Sequence, residues 1–274
     1  MTHYDGERSP TRNEALDSRQ GDNEMAVNAE PVDQLPKSIR SLLDTPYAQY
    51  LGLETIFDIQ VSEGVPVELN HAEEVIFRTV HMSSELWLRL AGFEIERTRA
   101  AIDAGQIVAA NRLALRARMS VDRVMEATAM LQMMPAADYH AFRTELGNAS
   151  GLQSPGYAYL RRECKALAVA FDGAVGDDDA LFDLYMGDRN DPRYDLAESL
   201  LELDATLDRF RALHLQIAER FLGGNVQGTG GSEGVPYLRR NIGHKLFPRL
   251  WDIRERIATA SGATSYGYGT PDSK

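Results

Sequence analysis

Two histidines, one arginine and one glycine-rich run are the residues best able to do chemistry. His214 lies in RFRALHLQIAERFLG at 209–223. At helical spacing its neighbours are Phe210 and Arg211 on one side and Ile217 and Ala218 on the other, a mainly apolar face. An imidazole so placed is either a core histidine with one satisfied hydrogen bond or a metal ligand, because a neutral ring offers an unshared electron pair. His81 lies in FRTVHMSSELW at 77–87, with Phe77 four residues before it and Glu85 four after, all on one helix face. It either stands over a flat substrate or packs against its neighbours. Arg143 follows Tyr139 by one helical turn. Its guanidinium can grip a carboxylate through two parallel hydrogen bonds, or pair with Glu145 or Glu163. The segment GTGGSEG at 228–234 can cradle an anion on backbone N–H groups. It lacks GK[ST] and no strand precedes it, so it is neither a Walker loop nor a dinucleotide loop.

Other chemistries find little support. The net charge of −12 argues against a nucleic-acid or anionic-membrane surface, which needs clustered Lys and Arg. One cysteine, Cys164, permits neither an intramolecular disulfide nor a thiolate metal cluster. No G-x-S-x-G elbow occurs, and no carboxylate pair can be singled out among 41 acids. The seven Asp at 172, 177, 178, 179, 183, 188 and 191 are expected to form a solvated loop rather than a metal site. His3, His71 and His244 are expected at the surface. Without an apolar run of spanning length or a signal peptide, the chain is expected to be soluble and cytoplasmic.

The elements that must position these residues are helical. Asn70 is a plausible N-cap for a helix to about Ala104, with Glu73 and Glu74 in its first turn and Gly105 ending it. Val75, Ile76, Val80, Leu86, Trp87 and Leu90 recur along it at helical spacing. A second helix is expected over about 107–133, a short one over 139–146 capped by Asp138, then one over 157–171, one over 193–222 and a last one over 243–260. Loops are expected at 148–156 and 225–236, where Gly and Pro cluster. Residues 47–57 suit a short helix or an extended arm, and 58–69 a short hairpin or loop. Residues 1–36 are too polar to bury a core and are expected to be a flexible tail, as is 263–274, leaving one domain over 37–262. The fold class is all-α, a helical bundle with long loops.

Four blocks together resemble the tryptophan 2,3-dioxygenase family, within the haem-dependent aromatic oxygenases: 77–87, 138–154 (DYHAFRTELGNASGLQS), 209–223, and 228–240 (GTGGSEGVPYLRR). They stand in the family's order and spacing, and the resemblance covers about 45–260. It implies an all-helical protein, a homotetramer or homodimer, holding haem b with its iron. The implied reaction inserts both atoms of O2 across the indole C2–C3 bond of tryptophan or a close derivative, giving an N-formylkynurenine. It implies His214 as proximal iron ligand, on the family's H-x5-R-x2-G pattern at His214, Arg220 and Gly223. It also implies His81 as the distal catalytic residue near the indole N–H and Phe77 against the indole ring. Arg143, with Tyr139 beside it, would meet the substrate carboxylate, and Thr229 the substrate ammonium. Ser150, Gly228 and Gly230 would border the cofactor. Three positions depart from the family: Met82 replaces Gln, Leu152 replaces Phe and Glu233 replaces Ser. These departures keep two alternatives open, a sibling haem monooxygenase of secondary metabolism acting on an indole or another aromatic amino acid, and a non-catalytic helical binding protein.

Overall fold

The computed structural model describes residues 40–57, 61–62, 65–66, 71–224, 228 and 233–262. The tails at 1–36 and 263–274, and Asn70 as a cap, lie outside the described residues. The chain divides into two compact units, Met1–Ala72 and Glu73–Lys274.

In the first unit a 3-10 turn at Ser41–Asp44 leads into α1 (Pro46–Leu51) and α2 (Leu53–Phe57). Thr45 caps α1 by accepting from the Ala48 N–H at 3.3 Å, Pro46 opens it, and Gly52 closes it in the left-handed region at φ 65°. Residues 47–57 are thus two short helices rather than an arm. Within 58–69 the described residues pair as a minimal antiparallel hairpin, β1 (Val61–Ser62) with β2 (Val65–Pro66), Val61 facing Pro66.

The second unit is all-helical among its described residues. It comprises α3 (Ala72–Asp103), α4 (Ile107–Ala129), α5 (Ala136–Phe142), α6 (Pro155–Val175), α7 (Asp178–Met186), α8 (Pro192–Leu222), α9 (Val235–Arg240) and α10 (Pro248–Ala260). Two helices begin on one signature, a polar cap followed by proline. Ser154 accepts from Tyr157 N and Asp191 from Arg193 N, and Pro155 and Pro192 lose no hydrogen bond at the first helical position. The α3–α4 turn closes on Gly105 at φ 71°, which only glycine adopts without strain.

The longest contact runs between α4 and α8. On α4 the buried residues include Ala110, Ala114, Ala117, Val121 and Val124, small side chains at helical spacing. It admits close approach of Leu196, Ala197, Leu200, Leu203 and Leu207 on α8, and Ser199 Oγ donates to Asn111 Oδ1 at 2.6 Å across the seam. No helix among the described residues is long and apolar enough to cross a membrane.

The acidic stretch is not a loop. Asp177 caps α7, accepting from Ala180 N at 2.9 Å, and Leu181, Leu184 and Tyr185 are buried. The carboxylates are matched from α10: Arg249 meets Asp172 and Asp178 at 2.6 and 2.9 Å, and Arg256 meets Asp179 at 2.7 Å. The last helix starts at Pro248, not near 243, because Asp204 accepts the Leu246 and Phe247 N–H groups and holds that segment out of the helix. A separate helix, α9, begins at Val235 where a loop to 236 was expected. Asp138 is inside the first turn of α5 rather than its cap, and α4 tightens into a 3-10 turn at Met130–Met133. The buried face of α3 runs through Val80, Ser84, Leu88, Ala91 and Ile95, so Leu86 and Trp87 are exposed.

Candidate functional site

Residues 77, 81 and 85 occupy one face of α3. The Phe77 and His81 rings lie 4.1 Å apart, and His81 Nδ1 is 2.7 Å from the Phe77 carbonyl oxygen. A carbonyl can only accept, so Nδ1 carries the proton and donates. The His81 ring keeps solvent-accessible surface, yet surrounding protein pushes its pKa down, with the Phe77 carbonyl and the Glu85 charge opposing that shift. Near neutral pH the ring is uncharged and its Nε2 bears a lone pair.

His214 has the same character on α8. Its ring is half-buried, stacks parallel to Phe210 at 6.1 Å, and has its pKa lowered to about 4, first by desolvation and then by the charge of His81. The two imidazoles therefore lie within electrostatic reach of each other. Protonating either disfavours protonating the other. No hydrogen bond joins the His214 ring to a described residue.

Beside them is an aromatic corner. Tyr139 on α5 is buried, stacked on Phe221 of α8 at 4.8 Å and 17°, and 6.0 Å from Phe77. Phe142 is fully buried, 5.5 Å from Phe77. Burial raises the Tyr139 pKa, and a hydrogen bond and charge from Arg143 oppose it. Arg143, half-buried, thus lies against the Tyr139 hydroxyl, while Glu163 is taken by Arg162 at 2.7 Å. The Glu145 side chain lies outside what is described.

Ser150 opens a 3-10 turn, Gly151–Gln153. Its hydroxyl accepts from Leu152 N and its N–H donates to Gln153 Oε1 at 3.0 Å, a reciprocal capping box. The turn is pinned to α3 by Glu85, which accepts from the Ser154 hydroxyl and, at 2.8 Å, from Gly156 N. Spacing had placed Glu85 beside His81 but gave no sign of this second role. The signal for it was Ser154-Pro155, a helix start whose dipole attracts a carboxylate. Gly228 is half-buried; Thr229 and Gly230 lie outside the described residues. Of the departing positions, Met82 and Leu152 are exposed, and Glu233 pairs with Arg240 of α9. His244 is exposed, as expected, and lends its carbonyl to the buried Arg211 at 2.7 Å. Cys164 is fully buried and its thiol pKa is pushed up by desolvation, so it is inert.

The described residues contain no group of three or more His, Cys, Asp or Glu placed to share a metal ion. A lone imidazole holds a metal firmly only when the other ligands arrive with it, as they do in a porphyrin. The His214 imidazole, with no such group beside it among the described residues, fits a haem.

The comparisons with known proteins bear on the same chain. The family model described as tryptophan 2,3-dioxygenase matches residues 33–166 and 170–257. A protein of Pseudomonas fluorescens named tryptophan 2,3-dioxygenase is 27% identical, the match covering 77% of this chain and 90% of the relative. Proteins of the same name from Ruegeria sp. and Bradyrhizobium diazoefficiens are each 28% identical, over 76% of this chain and 91% of the relative.

Proposed function

The chain belongs to the tryptophan 2,3-dioxygenase family, and from that premise we propose that it holds haem b on His214 and dioxygenates the indole ring of tryptophan or a close derivative, giving an N-formylkynurenine. The observation that carries this reading is the pair of imidazoles on α8 and α3 within electrostatic reach of each other, His214 stacked on Phe210 and His81 held through Nδ1 by the Phe77 carbonyl. One offers a ligand to iron, and the other offers an acceptor to whatever enters between them. Haem, when bound, supplies the binding and activation of O2.

The chain's own residues do the rest. His81 has its Nδ1 proton held by Phe77, so Nε2 accepts the indole N–H and orients the ring. Phe77, Tyr139 and Phe142 form an apolar wall for a flat substrate and exclude water from it. Arg143 answers the substrate carboxylate, its guanidinium oriented by the Tyr139 hydroxyl. Thr229 is assigned to the ammonium group. A zwitterion brought into such a slot needs both charges met, since an uncompensated buried charge costs about 3–5 kcal/mol. The exposed Leu86, Trp87 and Phe93 on α3 suit a homotetramer or homodimer.

The test is direct. Purified protein loaded with haem should show a Soret band that His214→Ala abolishes. After anaerobic reduction, tryptophan and O2 should yield a product heavier by two oxygen atoms. A gain of one oxygen atom would replace dioxygenation by monooxygenation. No Soret band in the wild type would overturn the haem assignment.

A further inference from the structure

Tyr139 lies on α5 and Arg143 follows directly after it, yet α5 has only seven residues and no side-chain cap at its start. A helix that short does not hold itself in place. Phe142 and Tyr139 bury it in a small hydrophobic core, and one residue of α8 holds it at two points. The Tyr139 ring stacks on the ring of Phe221, and the next residue, His140, brings Nε2 to 2.9 Å from the Phe221 carbonyl oxygen. That oxygen can only accept, so His140 Nε2 carries the proton and donates. Phe221 belongs to the last turn of α8, whose carbonyls lack N–H partners from a following turn and form the negative end of the helix dipole. It also lies seven residues, two helical turns, beyond His214, on the same face of α8. The His140 ring is otherwise at the surface, so shortening it opens no cavity in the core.

We propose that His140 is a positioning residue, whose ring N–H docks α5 on the C-terminal turn of α8 and thereby sets the distance and angle of Arg143 relative to His214. The proposal rests on the function given above, in which Arg143 meets the substrate carboxylate and His214 the iron. Deleting the donor leaves the fold and the iron ligand intact and lets the carboxylate-binding cation wander.

The experiment compares wild type, His140→Ala and His140→Gln, all full-length and loaded with haem. His140→Ala should raise KM for tryptophan about three- to tenfold, the range of one lost hydrogen bond, while kcat and the Soret band stay unchanged. His140→Gln keeps an N–H donor and should return KM to within about twofold of wild type. On the haem-free chain, backbone hydrogen exchange over 137–146 should accelerate in His140→Ala and stay constant over α7. Unchanged KM and exchange, or equal losses in KM, kcat and haem content without rescue by Gln, overturns the proposal. Faster exchange in a chain whose wild type never oxidises tryptophan upholds the anchor and sinks the function proposed above.

Discussion

The second unit carries two hydrophobic cores of different make. The larger is aliphatic and joins α3, α4, α6, α7, α8 and α10 through residues such as Leu88, Ile95, Leu160, Leu167, Leu200 and Leu250. The smaller is rich in aromatic rings and joins Val80, Leu131, Met134, Tyr139, Phe142, Ile217 and Phe221. Two helices run through both. Among fully buried residues, on α3 the small core ends at Val80 and the large one begins at Leu88; on α8 the large one ends at Leu207 and the small one begins at Ile217, with Phe210 and Leu213 packing partly on one and the other. His81 and His214 fall in those two gaps. One pair of helices thus runs through both cores and, under the proposed function, supplies stability on one side and substrate contact on the other.

Alanine substitution should separate the cores. Phe171→Ala in the large core and Phe142→Ala in the small one, both buried, should each cost about 3–5 kcal/mol in denaturant unfolding. Only Phe142→Ala should also raise KM for tryptophan, because Phe142 backs Phe77 and Tyr139. Equal KM effects from both would mean that the cores are one functional body.

A smaller effect tests the bridge between helices. A Cβ on Gly156 would lie 2.7 Å from Glu85 Oε2 and 2.8 Å from Leu88 Cβ. Gly156→Ala should therefore destabilise by about 1–3 kcal/mol, read as a lower denaturant midpoint. Wild-type stability would mean that α6 can lift from α3 without penalty.

The smallest effect is acid lability at the seam. The folded His214 ring takes up its proton near pH 4, and an unfolded one near 6.5. Between those values the unfolded chain binds the extra proton, so stability falls as pH drops through that window. The shift corresponds to at most about 3 kcal/mol, and to about 1–2 kcal/mol once the exposed edge of the ring is allowed for. Haem-free His214→Phe should lose that much less than wild type between pH 6.5 and 4 in unfolding titrations. Parallel curves would place the acid-sensitive group elsewhere.

Much of this was legible in the chain itself. Periodicity and Gly105 gave α3 and α4, and the four-residue spacing of Phe77, His81 and Glu85 gave a shared face, because both signals are local. What failed was nonlocal. Seven aspartates masked α7, whose apolar Leu181, Leu184 and Tyr185 are sound helix signals; arginines over 70 residues away on α10 neutralise its charge. Tyr139 rather than Glu163 as the partner of Arg143 is likewise a matter of packing. Met82 and Leu152, which depart from the family, are exposed side chains, and their positions in the sequence carried no sign of that. The proposed ligand role of His214 rests on family resemblance, since an apolar helix face suits a core histidine equally well.

The bond from His81 Nδ1 to the Phe77 carbonyl has one more consequence. It commits the other nitrogen to receiving and never giving. Under the proposed assignment the enzyme then selects by valence as well as by shape: an indole alkylated on its ring nitrogen brings no hydrogen to the one atom waiting for it, and is refused however well its outline fits.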